Sequence, residues 1–194
     1  MENLNGEAPR LTLMKSTLHL LLDRIPTPIG DLLVVADGEG RLRATFWTNH
    51  DRELRQTLER RYPGMEIEFE RASDPHGLST AMDAYFCGDL HAIDGLRVES
   101  AGTAFQREVW RALREIPCGT PISYGELARR IGRPEAVRAV GLANGANPIG
   151  VVVPCHRVIG SNGALTGYGG GIERKRWLLD HESAPRLQFE MNLR

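Results

Sequence analysis

The amino-acid sequence predicts an α/β protein with two domains, and three observations lead to that prediction. In the first half, short apolar stretches are separated by turns that contain glycine or proline, as in a small antiparallel sheet. In the second half, apolar residues recur at helical spacing, and two helical segments are joined by a tight turn. The charges divide in the same way: residues 1–100 carry 11 Lys and Arg against 17 Asp and Glu, whereas residues 101–194 carry 13 against 8. A basic half in a nearly neutral protein indicates that this half meets phosphate groups.

The composition limits the class of protein. With 194 residues, 41% of them hydrophobic and 25% charged, the chain is typical of an ordinary globular protein. No apolar run reaches membrane-spanning length, and the run at residues 20–22 is too short for a signal peptide. The three cysteines show no CxxC spacing, which argues against a disulfide framework or a zinc site. We therefore expect a cytoplasmic protein without a metal or any other cofactor.

The first domain is predicted over residues 17–100, after a polar, aperiodic stretch at residues 1–16 that indicates a flexible tail. Apolar stretches bounded by turn residues predict strands, and amphipathic stretches predict helices. The predicted strands cover 18–25, 31–36, 41–47 and 66–70, and the predicted helices lie near 51–62 and 77–88. No arrangement of catalytic residues is evident in this half, so we interpret it as structural.

The second domain, predicted over residues 101–194, opens with a helix. Thr103 and Gln106 form a capping-box pattern, and Pro117 ends the helical stretch. A second capping pattern at Ser123 predicts a short helix that follows. This half is therefore expected to be mainly helical.

A glycine and a proline separate that short helix from another, predicted over residues 134–144. Helix, tight turn and helix form a helix-turn-helix pattern, which occurs both in DNA-binding proteins and in plain helical packing. The second helix carries small residues and a single arginine, Arg138, where a major-groove helix would carry several base-reading side chains. Small residues instead allow a helix to approach a narrow groove closely.

The most informative segment of the chain lies further on. Residues 150–153 form an apolar run that predicts a buried strand, and Cys155 and His156 follow Pro154 directly after it. A cysteine held where a strand ends can face a cavity, and a histidine has a pKa in the range of a useful general base. Cys155 is therefore the candidate nucleophile. The simpler alternative is a structural cysteine followed by a chance histidine.

The segment Pro154-Cys155-His156-Arg157-Val158 resembles the active-site motif of the O6-alkylguanine-DNA alkyltransferases, which repair alkylated guanine by taking the alkyl group onto their own cysteine. The resemblance extends in order, without an obvious gap, over about residues 103–182. The other matching segments are 122–128, 138–141, 147–148, 166–168 and 177–182. The resemblance implies a ribonuclease H-like first domain and a mainly helical, winged-helix-like second domain.

The resemblance also implies roles for the reaction centre. Cys155 would be consumed in one turnover, because a thioether is not hydrolysed under mild conditions. His156 would act on Cys155 as a base through a bridging water molecule, and Glu182 would orient His156. Glu182 also follows two leucines at helical spacing, and a carboxylate on an apolar face needs a partner, although a charge at a fraying helix end is the alternative. Asn147 would tie the second helix to the reactive loop, and Tyr124 would hydrogen-bond or protonate guanine N3.

Contacts with substrate and DNA are implied in the same way. The Val158 carbonyl would accept the guanine amino group, and Gly169, where a serine is often found, would offer only its backbone N–H to O6. Arg138 would fill the space left by a flipped nucleotide, since O6 of a paired guanine is out of reach inside the duplex. The alternative for Arg138 is a phosphate contact or a solvated charge. The other residues predicted to bind substrate are Leu165 and Tyr168, and those predicted to contact DNA are Tyr124, Arg129, Arg130, Arg133, Ala136, Ala139 and Gly141.

The sequence thus predicts a DNA repair alkyltransferase without a cofactor, which binds the minor groove of double-stranded DNA without sequence preference. We expect a monomer that acts on O6-alkylguanine and O4-alkylthymine, with cooperative binding to DNA left open. Two alternatives remain, a cysteine hydrolase that uses Cys155, His156 and Glu182, and a helix-turn-helix regulator. Against them, hydrolase histidines are normally distant in sequence from the cysteine, and the second helix lacks base-reading groups.

Overall fold

The computed structural model describes residues 16–47, 51–99 and 101–191. The predicted tail therefore lies outside the described residues, apart from Ser16. The first half contains a four-stranded sheet and two helices. Its elements are strands β1 (Thr17–Ile25), β2 (Leu32–Ala36) and β3 (Leu42–Phe46), helix α1 (Asp51–Arg61), strand β4 (Glu66–Arg71), a 3₁₀ turn at Pro75–Gly77 and helix α2 (Leu78–Phe86).

The sheet is mixed, so the prediction of an antiparallel sheet is wrong for one strand. The strand order is β3-β2-β1-β4; β2 is antiparallel to both of its neighbours, but β4 lies parallel to β1. The reason is the connection from β3 to β4, because α1 carries the chain back along the sheet before β4 begins. Parallel strands need such a crossover, whereas short turns join the antiparallel ones.

Different parts of the chain bury the two faces of this sheet. One face packs against α1 in a cluster that includes Leu33, Val35 and Leu58. The other face belongs to a larger apolar core, which includes Val34 of β2, Tyr85 of α2 and helices from the second half. Side chains from both halves thus share one hydrophobic interior. The division into domains 17–100 and 101–194 stays a prediction.

The second half is mainly helical, as predicted. The capping box at its first helix is confirmed, because the Thr103 hydroxyl accepts from the Gln106 N–H at 3.2 Å and the Thr103 N–H donates to the Gln106 side chain at 2.9 Å. None of the helices in the described parts of the chain has the length and apolar character needed to cross a membrane. The elements are α3 (Ala104–Arg114), β5 (Ile122–Ser123), α4 (Tyr124–Arg130), α5 (Val137–Gly145), β6 (Val158–Ile159) and α6 (Ile172–Met191), with 3₁₀ turns at Pro134–Ala136 and Cys155–Arg157.

The predicted helix-turn-helix pair is present as α4 and α5. The chain turns at Gly132, whose φ of 69° lies in the left-handed region that glycine tolerates. Pro134 begins a 3₁₀ turn, and the α-helix starts three residues later than predicted, at Val137. Val140 and Ala143 bury one side of α5 in the core. The opposite side of the helix faces outward.

The predicted strand at residues 150–153 is wrong, although the run is buried. Its backbone hydrogen bonds are local, because the Val152 N–H donates to the Gly150 carbonyl at 2.9 Å. Val151 has a φ of 70°, which an extended strand excludes. Packing against both halves of the protein therefore explains the apolar run, and Cys155 follows a tight turn instead of a strand.

The edge of the first-half sheet holds this turn in place. Thr45 of β3 donates its backbone N–H to the Pro148 carbonyl at 2.9 Å. Its hydroxyl donates to the Gly150 carbonyl at 3.0 Å. The turn at residues 150–153 and the 3₁₀ turn at Cys155–Arg157 that follows it are called the reactive loop and the reactive turn below. Their position depends on the first half of the chain as well as on the second.

Candidate active site

Cys155 begins the 3₁₀ turn that leads into β6. It is only 7% exposed, and it borders a cavity of about 240 Å³. The cavity lies between two parts of the chain. One part is β3 and α1 of the first half, and the other is the loop at residues 163–171, called the glycine-rich loop below, which contains Tyr168 and Gly169. The candidate nucleophile is therefore placed where the two halves of the chain meet.

Two asparagines fix the backbone around Cys155. Asn147 donates its Nδ2 to the Val153 carbonyl at 2.7 Å, and its Oδ1 accepts from the Ile149 N–H at 3.0 Å. Asn144, in the last turn of α5, donates Nδ2 to the Cys155 carbonyl at 3.4 Å. Together these bonds connect the end of α5 to the reactive loop. The sequence predicted such a link for Asn147, whereas Asn144 was missed.

The surroundings of Cys155 keep its thiol protonated at rest. Burial raises the pKa of the thiol. A hydrogen bond with the Asn147 side chain and the charge of Lys175 lower the pKa, but by less than burial raises it. A thiolate nucleophile at this position therefore requires a base.

Glu182 is a buried carboxylate at which several elements meet. Its Oε1 accepts hydrogen bonds from His156 Nε2 at 2.9 Å, Arg157 Nη2 at 2.9 Å and the Tyr85 hydroxyl at 2.8 Å. Its Oε2 accepts from Arg157 Nε at 2.9 Å and from the Gly119 N–H at 3.4 Å. Burial alone would raise the pKa of Glu182, but His156 and Arg157 hold it well below its usual range. The carboxylate is therefore ionised, and both of its oxygens accept hydrogen bonds.

The turn after α3 requires glycine to approach this carboxylate. Gly119 has a φ of 66°, in the left-handed region. A Cβ at this position would lie 2.7 Å from the backbone carbonyl oxygen of Glu182, which is closer than atoms can pack. The missing side chain allows the Gly119 N–H to reach Glu182.

The contact with Glu182 defines the tautomer of His156. Because a carboxylate only accepts hydrogen bonds, Nε2 carries the proton and Nδ1 keeps its lone pair. Nδ1 is buried and has no hydrogen-bond partner among the described residues. Burial lowers the pKa of His156 more than Glu182 raises it, so the imidazole is neutral. A neutral imidazole next to Cys155 in the same turn is suited to take up the thiol proton.

A short parallel ladder places Tyr124 near the reactive turn. Ile122 of β5 pairs with Val158 of β6, and Tyr124 begins α4 directly after β5. The Thr166 hydroxyl donates to the Tyr124 hydroxyl at 3.4 Å, so this phenol lies against the glycine-rich loop. Its ring borders Gly141 of α5, where a Cβ would lie 3.9 Å from the ring. The structure thus brings Tyr124, α5 and the loop together.

Several residues predicted to meet DNA lie on α5 and on the turn before it. Arg138 is exposed and forms no hydrogen bond or ion pair within the described ranges of the chain. Ala139 is exposed, and Ala136 and Gly141 are half-buried. Exposed ion pairs contribute little to stability, so the arginines in such pairs can exchange to other anions. The exposed pairs near α5 are Arg129–Glu126, Arg130–Glu126 and Arg133–Glu108.

The sequence is similar to proteins of a known family. Residues 104–184 match the family model described as "6-O-methylguanine DNA methyltransferase, DNA binding domain". The methylated-DNA–protein-cysteine methyltransferase of Salmonella typhimurium is 54% identical over 165 residues, which cover 85% of this chain and 96% of that protein. The chain belongs to the methylated-DNA–protein-cysteine methyltransferase family. The resemblance predicted from the sequence is thereby confirmed.

Solved structures of this methyltransferase family share the fold. The O6-methylguanine methyltransferase of Mycobacterium tuberculosis is 38% identical, with a TM-score of 0.68, and the match covers 87% of this chain and 94% of that one. A crystal structure from Mycobacterium tuberculosis of OGT in complex with DNA is 40% identical, with a TM-score of 0.67 and coverage of 86% and 94%. The α/β class predicted from the sequence is confirmed.

One buried residue of the candidate site was not predicted from the sequence. Lys175 is fully buried, and its Nζ donates to the Val158 carbonyl at 2.6 Å and the Thr166 carbonyl at 2.8 Å. It therefore joins β6 to the glycine-rich loop, and burial lowers its pKa. Helical spacing was the available signal, since Lys175 precedes Leu178 by three residues and Glu182 by seven, on one side of α6.

The residues predicted to bind substrate lie in two places. Tyr168 and Gly169 line the cavity beside Cys155, whereas Val158 and Leu165 are not among the described residues that line it. The Val158 carbonyl already accepts from Lys175, but a carbonyl oxygen has two lone pairs and can accept a second donor. Leu165 is half-buried in the glycine-rich loop.

Proposed function

We propose that this protein repairs O6-alkylguanine and O4-alkylthymine in double-stranded DNA by moving the alkyl group irreversibly to Cys155. The observation that carries this proposal is the neutral His156, whose Nε2 is bound to Glu182 and whose buried Nδ1 has no partner among the described residues. That arrangement supplies a neutral base in the residue that directly follows a buried thiol in the same turn. Relatives named methylated-DNA–protein-cysteine methyltransferase support the same reaction.

In the proposed reaction, the thiol proton of Cys155 passes through a water molecule to Nδ1 of His156, and Glu182 stabilises the resulting imidazolium. The thiolate sulfur attacks the alkyl carbon, so that a carbon–sulfur bond forms while the bond from carbon to O6 breaks. The electron pair of the broken bond stays on the guanine, and Tyr124 assists its departure by hydrogen-bonding or protonating N3. No step requires a cofactor, and the thioether ends the reaction after one turnover.

The flipped base is proposed to lie between β6 and the glycine-rich loop. The Val158 carbonyl would accept the guanine amino group, which favours guanine over adenine. The backbone N–H of Gly169 would face O6, with Leu165 and Tyr168 completing the pocket. Asn147 would keep this pocket aligned with the end of α5 through its bonds to the reactive loop.

The outward side of α5 suits the minor groove of double-stranded DNA. Its small residues allow close approach, and Arg138 would occupy the space left by the flipped nucleotide. Binding would be independent of sequence and would weaken with salt, because arginine–phosphate contacts dominate it. A monomer suffices, since one chain supplies every residue of the proposed site. The remaining DNA contacts are assigned to Tyr124, Arg129, Arg130, Arg133, Ala136, Ala139 and Gly141.

The finer architecture is part of this proposal. We assign a ribonuclease H-like domain to residues 17–100 and a winged-helix-like domain to residues 101–194. The mixed sheet supports the first assignment, and the packing of α3, α4 and α5 with the β5–β6 ladder supports the second. We also propose that the protein acts in the cytoplasm, since its three cysteines are free thiols and Cys155 must stay reduced to react.

Intact-protein mass spectrometry after incubation with a duplex that contains O6-methylguanine tests the proposed function. We expect one methyl group per protein, located on Cys155 by peptide mapping, and no further turnover. A duplex with unmodified guanine should leave the protein mass unchanged. Repeated turnover, or a methyl group on Cys87 or Cys118, would contradict the mechanism. Many turnovers on simple esters would instead favour the cysteine hydrolase.

Replacing Arg138 with alanine tests the base-flipping role. Arg138→Ala should slow repair of duplex DNA by about tenfold or more, since filling the vacated space offsets an unstacking cost of a few kcal/mol. Reaction with free O6-methylguanine base should change little, because no nucleotide is flipped. Single-turnover rates on both substrates provide the measurement. The control is Arg176→Ala, which removes an exposed arginine paired with Glu173 on α6; equal losses on both substrates in Arg138→Ala would contradict the role.

A further inference from the structure

One phenol of the first half binds directly to the buried carboxylate of the reaction centre. Tyr85 in α2 is fully buried, and its hydroxyl lies 2.8 Å from Oε1 of Glu182. A phenol can only donate to a carboxylate, and burial together with the charge of Glu182 raises the pKa of Tyr85, so that the hydroxyl keeps its proton. The sequence of this half contains no evident arrangement of catalytic residues, and a purely structural role was predicted for it. The contact shows a polar group of that half bound directly to the residue that holds His156.

Neighbouring contacts fix the position of this phenol. The His181 ring donates its Nε2 proton to the Tyr85 carbonyl at 2.8 Å, and the two rings meet edge to face with centroids 5.3 Å apart. Phe86 packs against Tyr85 with the same centroid distance, 5.3 Å. The end of α2 is therefore joined to α6 at the two consecutive residues His181 and Glu182. A displacement of α2 would move the Tyr85 hydroxyl away from the carboxylate.

The Tyr85 hydroxyl and His156 share one carboxylate oxygen. Oε1 of Glu182 accepts from Tyr85, from His156 and from Arg157, and these donors compete for its negative charge. Each additional donor lowers the share of that charge available to the imidazole. The strength of the bond between His156 and Glu182 therefore depends on the presence of the Tyr85 hydroxyl.

We propose that Tyr85 is a positioning residue for the reaction at Cys155: by donating to Oε1 of Glu182, it sets how strongly that carboxylate holds His156, and thus couples the docking of the first half to the reactivity of the thiol. This inference rests on the proposed function, but the alkylation rate of Cys155 tests it separately from methyl transfer. Among the described residues, the charged and titratable groups that interact with His156 or Glu182 are Tyr85 from α2, Cys118 after α3, Arg157 of the reactive turn, Tyr168 of the glycine-rich loop and Lys175 of α6, and Cys155 directly precedes His156 in the turn.

The sign of the effect follows from the shared oxygen. Without the Tyr85 hydroxyl, Glu182 would direct more of its charge to His156 and would stabilise the imidazolium. The pKa of His156 would rise, and the base would be lost to protonation at a higher pH than in the wild type. A merely structural role of Tyr85 would lower activity equally at every pH.

The experiment compares the wild type with Tyr85→Phe and with Tyr62→Phe. Tyr62 is a matched control, because it lies in the same half and packs in the cluster beneath the other face of the sheet. The first readout is the rate at which iodoacetamide alkylates Cys155, mapped by mass spectrometry from about pH 5 to about pH 9. We expect the acid side of the Tyr85→Phe profile to move to higher pH, with about a tenfold loss of rate there and little change at alkaline pH. Tyr62→Phe should follow the wild type.

The second readout is methyl transfer from duplex DNA, combined with Glu182→Gln. Tyr85→Phe should slow transfer on the acid side of the pH profile without weakening DNA binding, and it should have no further effect in a Glu182→Gln background, because both changes act through one carboxylate. Coincident pH profiles for Tyr85→Phe and Tyr62→Phe, or additive losses in the double variant, would overturn the inference. If the wild type transfers no methyl group, the proposed function fails, while the alkylation profiles still decide the role of Tyr85.

Discussion

Replacing Cys155 with alanine is expected to abolish methyl transfer from duplex DNA that contains O6-methylguanine. The loss should reach at least about 10⁴-fold, the scale on which removal of a covalent nucleophile acts. DNA binding should persist, because the residues assigned to DNA lie on α4, on α5 and on the turn between them, and not on the reactive turn. Transfer of a labelled methyl group and a salt-dependent binding assay measure the two properties separately.

The other two cysteines provide the controls for this result. Burial raises the pKa of Cys118 to about 11, so that this thiol stays protonated and cannot substitute for Cys155. Cys87 is exposed at the end of α2 and is not among the described residues that line the cavity beside Cys155, so Cys87→Ala should transfer like the wild type. A Cys155→Ala protein that still accepts methyl groups would show that the nucleophile has been assigned wrongly.

The second large effect is expected from Glu182→Ala. Its free energy of unfolding should fall by about 3–5 kcal/mol, because Arg157 and His156 would stay buried without the carboxylate that compensates them. Methyl transfer should also be lost, since His156 would lose the bond that sets its tautomer. Urea unfolding followed by circular dichroism measures the first effect, and single-turnover kinetics measures the second.

The same helix offers a matched control. Glu173 is 86% exposed and pairs with Arg176, and Glu173→Ala should change the free energy of unfolding by no more than about 0.5 kcal/mol. Glu182→Gln keeps the shape of the side chain and removes the charge, so it provides a second variant if Glu182→Ala does not fold. A loss in Glu182→Ala no greater than in Glu173→Ala would contradict the compensating role of Glu182.

The free energy of unfolding should also depend on pH through the ionisation of Glu182. The pKa of Glu182 in the folded protein lies below its value in the unfolded chain, about 4.3. Its contribution is therefore fully present above that pH and is lost as the pH falls toward the folded-state pKa. In Glu182→Gln this acid-dependent part of the unfolding free energy should be absent.

Local signals in the sequence predicted most of the helices and strands correctly. The helix caps at Thr103 and Ser123 are found where they were predicted, since a cap involves residues only three apart. The direction of β4 and the turn at residues 150–153 were predicted wrongly. Both depend on distant contacts: β4 pairs with β1 after a crossover helix, and the apolar run is buried by two halves of the chain at once.

The sequence by itself determined the family and the candidate nucleophile, because Cys155 and His156 belong to one contiguous motif within a long ordered resemblance. The resemblance also implied Glu182, and helical spacing supported it, while the small residues and single arginine of α5 led to the prediction that this helix meets DNA. What only the tertiary structure decided is how the reaction centre is completed. The tautomer of His156 follows from a carboxylate 26 residues away, and that carboxylate binds a phenol 97 residues away in the other half. The partner of a buried polar side chain such as Tyr85 leaves no mark in local patterns, since it is brought to that side chain by the folding of distant segments.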